Sequence, residues 1–178
     1  MSTVVAIETP TGVAIAGDTR IVDGESVSSD GFQHVFEVRG VGVGVVGEPG
    51  AVQQFRQRLD VAIQDRGFEG NNDPDIDVVA RIAAREAKRA GVDVAVGARD
   101  DDGAPSLREV GSDGRVLDNS EIALGTGSAV ALGLLEALDT DEAANDPTAA
   151  VRDVLQTVIE RDTETGGEVD VWTLGGED

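Results

Sequence analysis

Hydroxyls, amines and carboxylates are the groups with which this chain can do chemistry. It has no cysteine, which excludes disulfide frameworks and thiol catalysis, and its single histidine, His34, cannot supply a His-rich metal site. Lys88 is the one lysine; the other basic residues are arginines. Gly125-Thr126-Gly127-Ser128 precedes a helical pattern, where unpaired N–H groups could hold an anion. That reading lacks support: a dinucleotide fingerprint would want glycine at Val130, no lysine follows as in a P-loop, and the strand order is not βαβ. The segment reads instead as a helix start, with Ser128 as N-cap.

The charge balance excludes other classes. With 14 Lys+Arg against 35 Asp+Glu, the net charge is −21, and no basic run exists to bind nucleic acid or an anionic membrane. A globule of this mass exposes about 8,200 Å², which spaces the acids about 15 Å apart. They repel one another at 0.1 M salt, where the Debye length is about 10 Å, and hardly do so at 1 M, where it is about 3 Å. The composition therefore suits a salt-rich cytoplasm. No apolar window approaches a membrane span and no signal-peptide pattern opens the chain, so a soluble, cytoplasmic protein is expected.

The elements that must position any site follow from periodicity. Thr3–Glu8 and Val13–Gly17 alternate around Pro10-Thr11-Gly12 and predict a hairpin; Gln33–Val38 and Val41–Val46 repeat it around Arg39-Gly40. From Pro49, the spacing of Val52, Phe55, Leu59 and Ala62 predicts a helix that stops at Gly67. After a polar loop over Gly70–Pro74, Val79, Ile82, Ala83 and Ala87 predict a second helix before Gly91. Strands are expected at Val92–Ala98, Ser106–Val110, near Val116 and at Ile122–Leu124. A helix from Ser128 should face inward with Val130, Leu134 and Leu138. Asp146-Pro147 should start another, carrying Val151, Val154, Leu155, Val158 and Ile159 until Gly166-Gly167, before a closing strand Val169–Leu174. Residues 1–178 then read as a single domain: two antiparallel sheets with helices outside them, an α+β layered architecture.

Five segments in register resemble one family, the proteasome β-subunit type of N-terminal-nucleophile (Ntn) hydrolase, including its short bacterial relative. They are Ser2-Thr3-Val4-Val5-Ala6-Ile7, Val13 to Arg20 with its Asp18-Thr19-Arg20, Val45-Val46-Gly47, Gly125-Thr126-Gly127-Ser128, and Glu160-Arg161-Asp162 followed by Thr165-Gly166 and Val169-Asp170-Val171. The resemblance spans nearly the whole chain. With no helical extension before the first strand, it is to the catalytic β type rather than the α type, and the charge composition is that of a halophilic archaeal member.

The resemblance implies a four-layer αββα sandwich and amide-bond hydrolysis by Ser2 after removal of Met1. An N-terminal hydroxyl residue carries its own base, since its α-amine has a pKa near about 8. The family usually has threonine here; serine keeps the hydroxyl and loses the methyl that restricts χ1. Asp18 aligns with the family's acid near the nucleophile, and Gly47 with the glycine whose N–H forms the oxyanion hole. Thr126 and Thr165 replace family serines, and Asp162 aligns with a family acid, a network able to orient the α-amine. One departure is larger: His34 falls where the family has its active-site lysine. If His34 replaces that lysine, its protonated form should help Ser2, and turnover should fall as pH rises. Two readings stay open: a weaker replacement in a working peptidase, or a degenerated site in an inactive structural or regulatory subunit of a ring. The resemblance further implies partners that are copies of itself or related subunits, and a peptide or unfolded-protein substrate. It implies no metal or organic cofactor, no nucleic acid and no membrane; ATP would enter only through a separate unfoldase.

Overall fold

A computed structural model describes residues 2–67 and 73–176. The chain begins with β1 (Thr3–Thr9) and β2 (Gly12–Asp18), then a short hairpin of β3 (Ile21–Asp23) and β4 (Ser26–Ser29). β5 (Val35–Val38) and β6 (Val41–Val46) lead into α1 (Pro49–Arg66) and α2 (Ile76–Ala90). β7 (Asp93–Arg99), β8 (Pro105–Val110), β9 (Val116–Leu117) and β10 (Glu121–Gly125) follow. α3 (Ser128–Glu136), α4 (Thr140–Asn145), α5 (Pro147–Arg161) and β11 (Val169–Gly175) complete the chain.

Two antiparallel sheets form the centre, ordered β10-β1-β2-β11 and β5-β6-β7-β8-β9. Strand alternation divides the apolar residues between three layers. Val4, Ala6, Val13 and Ile15 point into the space between the sheets, whereas Val5, Ile7, Ala14 and Ala16 face α3 and α5. On the second sheet, Val41, Val43 and Val45 face α1 and α2. The inner face of β6 carries glycines for a steric reason: a Cβ on Gly44 would lie 2.6 Å from Val4 Cγ1, and one on Gly42 would overlap the Trp172 ring. Small residues there let the sheets close on each other.

The outer helices dock by the faces that periodicity marks. In α1, Val52, Phe55, Leu59 and Ile63 are buried, each contributing about 1.5–3 kcal/mol. Ile63 takes the last place on that face and Ala62 is only partly buried. In α3, Ala131 and Leu135 are the buried pair, while Val130, Leu134 and Leu138 pack at the margin. Gly127, not Ser128, is the N-cap, and no side chain caps this helix. α5 starts as expected, with the Asp146 carboxylate accepting from Ala149 N–H, but ends at Arg161, so Gly166-Gly167 lies in the loop beyond it. Part of the polar loop 70–74 falls outside the described residues. Among those described, no helix is long and apolar enough to cross a membrane.

Candidate active site

The end of the sandwich where β1 begins gathers most of the singled-out residues. Even-numbered residues of β1 point between the sheets, so Ser2 continues the row of Val4 and Ala6 and faces the second sheet. There its Oγ lies 2.7 Å from His34 Nε2, and both residues are only 2 % exposed. His34 precedes β5 and is fixed by its main chain, whose carbonyl accepts from Val45 N–H at 2.8 Å. Its ring is fixed by Nδ1, 2.8 Å from the Asp18 main-chain carbonyl oxygen, and by the Phe32 ring with centroids 4.9 Å apart. Burial pushes the His34 pKa below its ordinary value, against the opposing pull of the Asp18 carbonyl, of the Asp18 and Asp170 charges.

Asp18 meets the histidine through its backbone, not through its carboxylate. Oδ1 accepts from Thr3 N–H at 3.0 Å, and Oδ2 accepts from Gly166 N–H at 2.8 Å and Arg20 N–H at 3.3 Å. The carboxylate thus ties β1, β2 and the loop before β11 together. It is fully buried, and desolvation raises its pKa despite those donors and the nearby His34.

On the opposite face of β1, Thr3 points toward α5, and a second network runs through it. Thr126 Oγ1 and Thr165 Oγ1 both donate to Asp162 Oδ2, at 2.6 and 2.5 Å. With the Thr165 proton so committed, the 2.7 Å contact between Thr3 Oγ1 and Thr165 Oγ1 is donated by Thr3, whose oxygen in turn accepts from Gly127 N–H at 3.0 Å. Burial alone would raise the Asp162 pKa, but the two threonines and Glu164 N–H outweigh it and hold the carboxyl below its ordinary value. Thr126 N–H also donates to the Ser2 carbonyl at 3.3 Å, so this network holds the main chain of Ser2. Gly125 permits that approach: its φ is +95°, and a Cβ there would collide with the Ser2 carbonyl.

Of the seven residues singled out in the sequence, Ser2 and Asp18 both meet His34, and Thr126 and Thr165 both meet Asp162 directly through their hydroxyls. Gly47 follows β6, two residues beyond the Val45 that pairs with His34. A Cβ there would lie 2.7 Å from Val92 Cγ1, so packing by itself accounts for the glycine. Sequence reasoning missed Thr3, although period-two alternation puts one of two adjacent hydroxyls on each face. It also missed Thr19, whose Oγ1 donates to the Asp30 carbonyl at 2.6 Å and accepts from Glu168 N–H at 2.8 Å.

Two antiparallel sheets between helix layers, with a hydroxyl residue leading β1, make the α+β sandwich of Ntn hydrolases. The proteasome subunit family model matches residues 1–174, and the chain belongs to that family. It is 29% identical to proteasome subunit beta 1 of Staphylothermus marinus, over 95% of this chain and 82% of that protein. It is similar also to the proteasome subunit beta of Haloferax volcanii, at 27% identity over 96% of this chain and 72% of the relative. The chicken (Gallus gallus) proteasome subunit beta type-5 is 28% identical over 98% of this chain and 70% of its own length.

Proposed function

We propose that this chain is a proteasome-type peptidase that hydrolyses amide bonds of peptides and unfolded proteins with the Ser2 Oγ as nucleophile. The 2.7 Å approach of Ser2 Oγ to His34 Nε2, at the head of β1 in this family's fold, is the observation that carries the reading. Excision of Met1, which lies outside the described residues, would free an α-amine beside Oγ and remove the residue preceding a hydroxyl only 2 % exposed. The Thr126–Asp162–Thr165 network would then hold the amine end of β1, and Gly47 N–H would serve the developing oxyanion. The substitution of His34 for the family lysine favours a second reading, an inactive subunit that builds or caps a ring.

Assembly follows from the same reading. Residues 1–178 would act as one domain in a cytoplasmic ring of copies of itself or of related subunits, through the outward faces of α1 and α2, where Val61 is 54 % exposed. Light scattering at about 2 M KCl should show an oligomer that cleaves peptides, and about 0.1 M KCl should dissociate it or lower its melting temperature as carboxylate repulsion is unmasked. A strict monomer at high salt, or a melting temperature indifferent to salt, contradicts this.

A further inference from the structure

We propose that His34 works as a neutral general base, its Nε2 lone pair taking the Ser2 Oγ proton, rather than as a charged stand-in for the family lysine. The inference rests on the peptidase reading and specifies how its nucleophile is activated. One of the two hydrogen bonds of the His34 ring has only one possible direction. The Asp18 main-chain carbonyl can only accept, so the proton of the 2.8 Å contact sits on His34 Nδ1. A neutral imidazole with Nδ1 protonated has its lone pair on Nε2, and Nε2 faces Ser2 Oγ at 2.7 Å. The hydroxyl then donates to the ring, the alignment a Ser–His pair needs to transfer a proton. The ring cannot swing away from this position, because it is 2 % exposed and packed against Phe32.

The proton count closes. As Oγ forms a bond to the scissile carbonyl carbon, its proton moves to Nε2. The imidazolium then gives that proton to the leaving nitrogen as the C–N bond breaks, leaving an acyl ester on Ser2 and a neutral ring. Water attacks the ester, Nε2 takes its proton, and the ring returns it to Oγ as the C–O bond to Ser2 breaks. The resulting imidazolium would be faced by the carboxylates of Asp18 on β2 and Asp170 on β11, and by the chain's terminal ammonium. Burial in the resting site favours the neutral ring. The sign of the pH dependence is therefore opposite to that expected for a lysine substitute: activity rises as pH climbs through the His34 pKa.

One histidine in the chain makes the test unambiguous, because every histidine signal is His34. Nitrogen NMR of the histidine-labelled, assembled protein should show the Nδ1–H tautomer at neutral pH, with a titration midpoint below about 6.5. The acid limb of kcat/KM should share that midpoint. His34→Lys, which leaves the α-amine as the remaining base, should move the limb up toward about 8. An active enzyme with the Nε2–H tautomer, or one whose rate falls as His34 loses its proton, overturns the base and leaves the peptidase standing. A protein with the Nδ1–H tautomer that cleaves nothing overturns the peptidase reading, and the base with it.

Discussion

Ser2→Ala is expected to abolish peptide hydrolysis, with a loss of at least about 10³-fold, since removing a nucleophile leaves only binding and electrostatic contributions. The fold should survive, because Ser2 is held by its main chain: Thr126 N–H bonds its carbonyl, and Thr3 pairs with Gly125. The cost is the unpaired His34 Nε2, about 1–3 kcal/mol. Ser2→Thr should retain activity, since it keeps the hydroxyl and adds a methyl that restricts χ1. Comparing hydrolysis of a fluorogenic peptide across these variants, at matched assembly state by light scattering, checks both expectations. Equal rates in wild type and Ser2→Ala would assign the cleavage to something else.

The largest effect on stability is expected from Asp18. Its carboxylate is the shared acceptor for Thr3, Gly166 and Arg20 N–H groups, and leaving the buried Thr3 and Gly166 donors without a partner costs about 1–3 kcal/mol each. Asp18→Ala should therefore lose about 3 kcal/mol or more. Asp18→Asn should lose less, keeping one acceptor oxygen while turning an NH₂ toward a donor. The pH dependence has a definite sign. The folded-state pKa of Asp18 is raised by burial, so the folded state holds the proton more tightly than the unfolded one. Wild-type stability from this group falls as pH rises through the interval above the ordinary carboxylate value. The gap between wild type and Asp18→Ala in denaturant melts should thus be wider near pH 4 than near neutrality.

Most of the scaffold could be read because its signals are repeated. The alternation of Val4, Ala6, Val13 and Ile15 and the stripe of Val151, Val154, Leu155 and Val158 each state one face several times. The β3–β4 hairpin has no such repetition: all of Ser26–Ser29 is exposed, so no apolar period marks it. α4 spans only Thr140–Asn145 and is held largely by its Asp139 cap. At the site, the family resemblance aligned Ser2, Asp18 and His34, the last by an ungapped count from Asp18, and the fold brings Ser2 Oγ and the Asp18 carbonyl to the His34 ring. What spacing cannot convey is which oxygen of Asp18 faces the ring. Asp18 aligned only with an acid near the nucleophile, whereas its carboxylate is consumed by backbone N–H groups and its main-chain carbonyl orients His34. That choice of atom sets the tautomer and hence the sense of the pH profile. Gly47 shows the converse ambiguity, since contact with Val92 requires a glycine for reasons independent of catalysis.

Ser2 Oγ can act as the nucleophile only if Ser2 becomes the first residue of the working chain. Mass spectrometry of the N-terminal peptide, after treatment with an electrophile that needs both Oγ and a free α-amine, tests it most directly. A peptide that begins at Ser2, lacks Met1 and carries one adduct is expected, with no adduct in Ser2→Ala. A peptide that retains Met1, with Ser2 unmodified, would contradict it.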